Sequence, residues 1–473
     1  MAEINSLELN DLECYSLDNS VDFTALHQLN PKRYPFLLES SAQAENILSS
    51  DNNSAIEHAR FNILFAFPQN SLTLFSDNTL SGSVIDQQAD FLTNLDLNWQ
   101  EQQKCNAGKL NDHVELPFTG GWFVYLSYEL AGQIEKRLNL PQQEQNSIVA
   151  KLTRIPVAII HDKLLDKQTI IAEADFKEKI PEICQDIKKI KIKSNEESDL
   201  DLALLEDKPE FYLDAIAKVK QYIKDGDVFQ VNLSRQWQAD IKKSTDLVEL
   251  YRSLKNTNPA PFSAYIDYDE LKIISSSPER LIKVQQGQVQ TRPIAGTRAR
   301  KNETSADLDN LKELISHPKE RAEHIMLIDL ERNDLGRICN AGSIHVDELM
   351  ILESFQHVHH IVSNVCGRLR SDITPGEVIR AVFPGGTITG CPKERCMQII
   401  SELENVPRGA YTGSLGYINH NGDMDLNILI RTFEIKNNQL FLRAGAGLVA
   451  DSIAENELQE TRAKAKGLIE ALA

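Results

Sequence analysis

The chain has 473 residues, with 50 Lys+Arg against 69 Asp+Glu and a formal net charge of -19 at pH 7. Hydrophobic residues make up 41% and charged residues 25%, which supplies a large core and lacks the signature of dominant disorder. The acid excess argues against binding nucleic acid or an anionic membrane, since either partner needs a basic stripe. The first 20 residues are acidic and polar, with no cationic start followed by an apolar stretch, so no signal peptide is expected. No apolar run approaches the ~20 residues of a membrane helix, and a cytoplasmic location is expected. The seven cysteines are scattered, odd in number and without a C-x-x-C pair, as expected of reduced thiols.

In chain order, short strand-like runs occur at 71–75, 155–161 and 169–172, with a glycine-aromatic stretch from Phe118 to Glu129. A charged segment at 188–207 reads as a solvated linker or exposed helix, dividing an N-terminal region, 1–195, from a C-terminal region, 208–473. Tyr212, Ile216, Val219 and Ile223 share one helical face, and Gly226 supplies a stop. Strand-like runs recur at 228–233, 272–275, 288–291, 358–365, 415–418, 427–433 and 439–443. Thr374-Pro-Gly-Glu377 and Ser452-Ile-Ala-Glu455 read as capping boxes. Grouped strands with interspersed helices predict an α+β fold with a large, mostly antiparallel sheet. His357, His359 and His360 alternate as in a strand, without a cysteine or carboxylate at ligand spacing, so zinc is not expected.

Two pairs of glutamates lie three apart on predicted helices, Glu320 with Glu323 and Glu457 with Glu460. Each pair is a two-carboxylate claw on one helix face. Brought together they would suit Mg2+, although the same spacing is common on solvated faces. A glycine-rich turn, Phe383-Pro-Gly-Gly-Thr-Ile-Thr-Gly-Cys-Pro-Lys393, enters a helix with Pro392 as its expected first residue. Backbone N–H groups, threonine hydroxyls and Lys393 could converge there on an anion, or the turn could be a plain structural loop. Its spacing does not fit a nucleotide P-loop.

Further strings follow in order: Gln230-Val-Asn-Leu-Ser, Ser277-Pro-Glu-Arg280, Pro293-Ile-Ala-Gly-Thr-Arg298, Asp329-Leu-Glu-Arg-Asn-Asp334, Gly416-Tyr417, Ile430-Arg-Thr432 and Ala444-Gly-Ala-Gly447. Together with the motifs above, they resemble the chorismate-utilising enzymes: anthranilate synthase large subunits, aminodeoxychorismate synthase component I, and isochorismate and salicylate synthases. The resemblance implies a two-lobed fold of two large, mostly antiparallel sheets packed together with helices outside, the two regions being interleaved. It also implies Mg2+ as cofactor, with Glu323 and Glu460 as metal carboxylates and Glu320 and Glu457 close by.

By position, Glu279 matches the general acid that protonates the departing 4-hydroxyl of chorismate. His360 and Thr387 match ring-contacting positions. Tyr411, Arg431 and the backbone at Gly447 would meet the enolpyruvyl carboxylate, with Lys393 a further cation. Glu39, Ser40, Pro261 and Phe262 look like the family's tryptophan pocket, with an ordinary strand and loop as the other reading.

Gln230 stands where the water-using branches carry a basic lysine, which disfavours those branches. Between the ammonia-using branches, Gln230-Val-Asn-Leu, Val358-His-His360 and Tyr411-Thr-Gly-Ser-Leu-Gly look like aminodeoxychorismate synthase. Ala295 departs from the pattern in which a lysine attacks the ring, and alanine has no nucleophile. Direct, Mg2+-assisted displacement by ammonia is therefore expected. The chain has no G-x-C-x-G glutaminase motif, so the resemblance implies a separate glutamine amidotransferase subunit. Anthranilate formation and a non-catalytic chorismate or tryptophan sensor are the competing readings.

Overall fold

The computed structural model describes residues 6–9, 12–41, 60–105, 116–190, 202–242, 245–299, 318–354 and 358–472. Many strands are apolar on both faces. In Phe61–Ala66, Ile63 and Phe65 point to one side and Leu64 and Ala66 to the other, and all four are buried. Strand side chains alternate with period two, so such strands belong in the interior layers of a multilayer protein. Phe36–Glu39 and Leu271–Ser277 share this pattern.

Among the described residues the strands form a 13-stranded and an 11-stranded sheet, and the paired strands run antiparallel throughout. Phe36 and Phe65 of the larger sheet meet Phe123 of the smaller and Phe118 just before its strand, with Phe36 and Phe123 stacked at 4.3 Å. Each buried phenylalanine contributes about 1.5–3 kcal/mol, and each aromatic pair about 0.5–1.5 kcal/mol more. Helices cover the outer faces: Phe91–Cys105 and Pro375–Val382 over the smaller sheet, Leu247–Thr257 and Ala454–Glu470 over the larger. The result is an α+β molecule with two packed sheets between helical layers.

Both sheets draw strands from both regions of the chain. Phe36–Glu39 pairs with Phe262–Asp267 in the larger sheet, and Gly121–Leu126 pairs with Ser414–Asn419 in the smaller. The chain also passes directly from one sheet to the other at two neighbouring places. Leu271–Ser277 belongs to the larger sheet and Arg280–Gln285 to the smaller, so Pro278 and Glu279 make the first crossing. Met424–Asn427 and Thr432–Lys436 are likewise divided, with 428–431 between them. The strand expected at 427–433 is therefore broken. Ile428 and Leu429 are buried because they run between two sheets, and to a pattern reading such a segment looks like an interior strand.

Several boundaries follow expectation. Tyr212, Ile216 and Val219 are buried on Pro209–Lys224, and Gly226 turns the chain at φ +82°. Thr374 and Glu377 form the expected capping box. The other expected capping box is absent. The helix cap is Ile453, and the Ser452 hydroxyl instead accepts from the Val449 N–H at 3.1 Å. Pro392 is the cap of Lys393–Glu404 and not its first residue. The part of the expected linker at 191–201 and His357 lie outside the described residues.

Candidate active site at the sheet crossings

The two crossings lie side by side and are tied through their backbones. Ile428 N–H donates to Glu279 O at 3.0 Å, Ser276 N–H to Arg431 O at 3.0 Å, and Ser277 Oγ to Ile428 O at 2.5 Å. They carry the two residues to which the motif reading gave acid catalysis and carboxylate binding. Glu279 is 5% exposed, and burial pushes its carboxyl up to about 7, against the pull of Thr387, the Ile294 N–H, Lys464 and Arg431. A carboxyl kept neutral in this way is equipped to give up a proton near neutral pH.

Arg431 sits at φ +54°, and its guanidinium makes no hydrogen bond or ion pair among the described residues. Burial lowers its pKa, against the attraction of Tyr411, Glu460 and Glu279. A half-buried, uncommitted guanidinium is suited to a ligand carboxylate.

Around these two stand Gln230 and Asn232 from Gln230–Asp240, and Gly445 and Gly447 from the adjacent Gln439–Leu448. Tyr411 and Thr387 complete the group. Arg408 and Arg443 lie 5.5 and 6.0 Å from the Tyr411 ring, and both pair with the buried Glu404, at 2.7 and 2.9 Å. Burial raises the Glu404 pKa, but the two guanidinium groups more than offset it and keep the carboxylate ionised. Two amide oxygens at the site, Gln230 Oε1 and Asn232 Oδ1, are buried without a hydrogen-bond partner among the described residues. An unpaired buried acceptor costs about 1–3 kcal/mol, so the cluster is built for a ligand that supplies donors.

The other expected site residues are distributed differently. Ala295 follows Ile294, whose N–H reaches Glu279, but its side chain is outside the described ones. His360 is buried on Val358–Arg368, opposite Thr297 in the ladder. Lys393 is committed elsewhere: its Nζ donates to Asp334 Oδ2 at 2.5 Å and to Val382 O at 3.0 Å. The glycine-rich turn closes on itself, because Thr389 Oγ1 donates to Gly385 O and Gly390 pairs with the strand at Val231. Of the turn's hydroxyls, that of Thr387 faces the Glu279 carboxyl.

Glu323 is carried by Pro318–Gly336 and Glu457 and Glu460 by Ala454–Glu470, while Glu320 falls outside the described side chains. Among the described residues, no three His, Cys, Asp or Glu side chains converge as a metal cage. The donor set is nonetheless all carboxylate, which fits a hard cation. A positive charge is already accommodated beside it, since Lys464 Nζ lies 2.7 Å from Glu460 Oε1 and 3.0 Å from Gly445 O. Lys464 was missed in the sequence, although its i,i+4 spacing from Glu460 was there to read.

Between the sheets, a cavity of about 530 Å³ is lined by Glu39, Pro261, Phe262, Arg280 and Asp425, among others. Ser40 is not part of its wall: its carbonyl accepts from Lys163 Nζ. Glu39 Oε2 is held by Tyr251 Oη and Lys255 Nζ, both at 2.7 Å. No helix among the described residues is long and apolar enough to cross a membrane.

A family model described as chorismate binding enzyme matches residues 34–470. Anthranilate synthase component 1 of Aquifex aeolicus (strain VF5) is 40% identical over 374 residues, covering 75% of this chain and 74% of the relative. Aminodeoxychorismate synthase component 1 of Bacillus subtilis (strain 168) is 49% identical over 259 residues, 54% of each chain. The crystal structure of anthranilate synthase component I from Streptococcus pneumoniae TIGR4 superposes with a TM-score of 0.75 at 33% identity, covering 90% of this chain and 94% of that one. With the family model spanning nearly the whole chain and the site assembled at the sheet crossings, the chain belongs to the chorismate binding enzymes.

Proposed function

We propose that the protein is an aminodeoxychorismate synthase, converting chorismate and ammonia to 4-amino-4-deoxychorismate and water. The observation that carries amination over hydration is Gln230: beside the two crossings stands a neutral amide whose Oε1 is buried and unpaired among the described residues, and an amide cannot take a proton from water. Glu279 Oε1 holds the proton that leaves with the 4-hydroxyl. Arg431, Tyr411 and the Gly447 N–H bind and orient the enolpyruvyl carboxylate. Glu323, Glu457 and Glu460, with Glu320, would hold Mg2+, which when bound neutralises the ring carboxylate of the substrate. Ammonia comes from a separate glutamine amidotransferase subunit, as the component names of the two relatives suggest. The motif strings and the 49% identity to the B. subtilis protein support 4-amination.

Anthranilate formation is the second reading. It is favoured by Ala295 and by anthranilate synthase relatives that match three quarters of the chain. Chromatography of the products from chorismate, ammonium and Mg2+ separates the two. Aminodeoxychorismate that yields para-aminobenzoate only after a lyase is added is the expected result. Anthranilate and pyruvate without a lyase would overturn it. On the same reading, the cavity beside Arg280 takes tryptophan, and a calorimetric titration without heat of binding would remove that assignment.

A further inference from the structure

Gln230 and Asn232 are two apart on one strand, and therefore on one face. That face is left open by glycines on the neighbouring strand. A Cβ at Gly447 would lie 2.3 Å from Gln230 Nε2, and one at Gly445 would lie 2.7 Å from Tyr411 Oη and 2.8 Å from Asn232 Oδ1. The Asn232 amide is oriented by a long bond from its Nδ2 to Thr387 O, 3.5 Å, with Oδ1 toward Gly445. Gln230 Oε1 and Asn232 Oδ1 are both buried acceptors without a donor among the described residues.

Counting donors identifies what these acceptors can bind. Chorismate brings two carboxylates, which only accept, and one hydroxyl, which can donate a single hydrogen bond. That hydroxyl accepts the proton of Glu279 and keeps one O–H to give, so the substrate can serve at most one of the two amide carbonyls. Ammonia carries three N–H donors and one lone pair. Two N–H bonds given to the carbonyls would leave the lone pair free toward the ring.

We propose that Asn232, with Gln230 beside it, forms the seat of the nitrogen nucleophile. The proposal rests on the reading of the site as an aminating one and adds where the nitrogen waits. From this seat the nitrogen lone pair forms the C–N bond as the C–O bond breaks. The oxygen leaves as water with the proton of Glu279, and the proton shed by the new ammonium group restores Glu279. Neutral amides suit this step, because they orient ammonia without protonating it and cannot activate a competing water.

The test is steady-state kinetics with ammonium as nitrogen source on Asn232→Leu and Asn232→Ala, with folding checked by circular dichroism. Loss of one hydrogen bond to the nucleophile should raise the KM for ammonium about tenfold, with the KM for chorismate changed less than about threefold. The seat falls if the acceptor deletions leave the ammonium KM unaltered, or if they raise the chorismate KM as much. If the wild type itself gives no aminated product, the aminating reading fails, and the seat with it.

Discussion

The acid and the expected metal ligands are held in opposite ways. Glu279 and Arg431 ride on two short crossings between the sheets, joined to each other by backbone hydrogen bonds and enclosed by both layers. Glu323 and Glu460 stand on two outer helices that pack against different strands, and the Glu460 side chain is 48% exposed, although Glu457 on the same helix is buried. An acid needs a dry, fixed setting to keep its proton, whereas an exposed carboxylate such as Glu460 stays ionised and available to a cation.

Substitutions should separate the two settings. Glu279→Gln is expected to lower kcat by about 10²–10⁴ while chorismate still binds, as read by single-turnover kinetics and equilibrium titration. A variant that keeps wild-type kcat would remove Glu279 as the acid. Because Glu279 holds its proton up to about pH 7, wild-type activity should decline as pH rises through that value.

The same proton enters stability. The folded carboxyl titrates at about 7 and the unfolded one at about 4.3. The stability that comes from burying it neutral is therefore full below the lower value and lost as pH climbs to the upper one. At pH 8, Glu279→Gln should be more stable than the wild type by up to about 3 kcal/mol, and at pH 4 equal to it. Denaturant melts that coincide at pH 8 would show the ionised carboxylate to be well served.

Arg431→Ala should raise the chorismate KM about 10- to 100-fold, the effect of losing charge-assisted hydrogen bonds. On the helical side, Glu460→Gln should leave kcat at saturating Mg2+ nearly intact and raise the Mg2+ needed for half-maximal rate by about tenfold. If it abolishes kcat at every Mg2+ concentration, the contrast between the two settings collapses.

Local pattern carried much of this architecture. The strands at Ser71–Phe75 and Gln288–Thr291 coincide with their periodic runs, and the Thr374 cap is where its motif lies. Glu279 and Arg431 were legible as motif residues, but not as occupants of sheet crossings. Residues 428–430 are apolar whether they extend a sheet or pass between two, and one sequence does not distinguish these cases. Asn232 could have been placed beside Gln230 by strand alternation alone. The Glu404 network could not, because its partners at Ser234 and Arg443 come from distant parts of the chain and meet only through the β-ladder.

The two seams, Phe36–Glu39 against Phe262–Asp267 and Gly121–Leu126 against Ser414–Asn419, have a consequence for any attempt to divide the protein. Each region closes the open sheet edges of the other. Severed at the segment between them, both fragments would expose long apolar strand edges, the kind that recruit foreign strands. Neither region completes its share of the two sheets alone, so neither is a module that could be exchanged on its own.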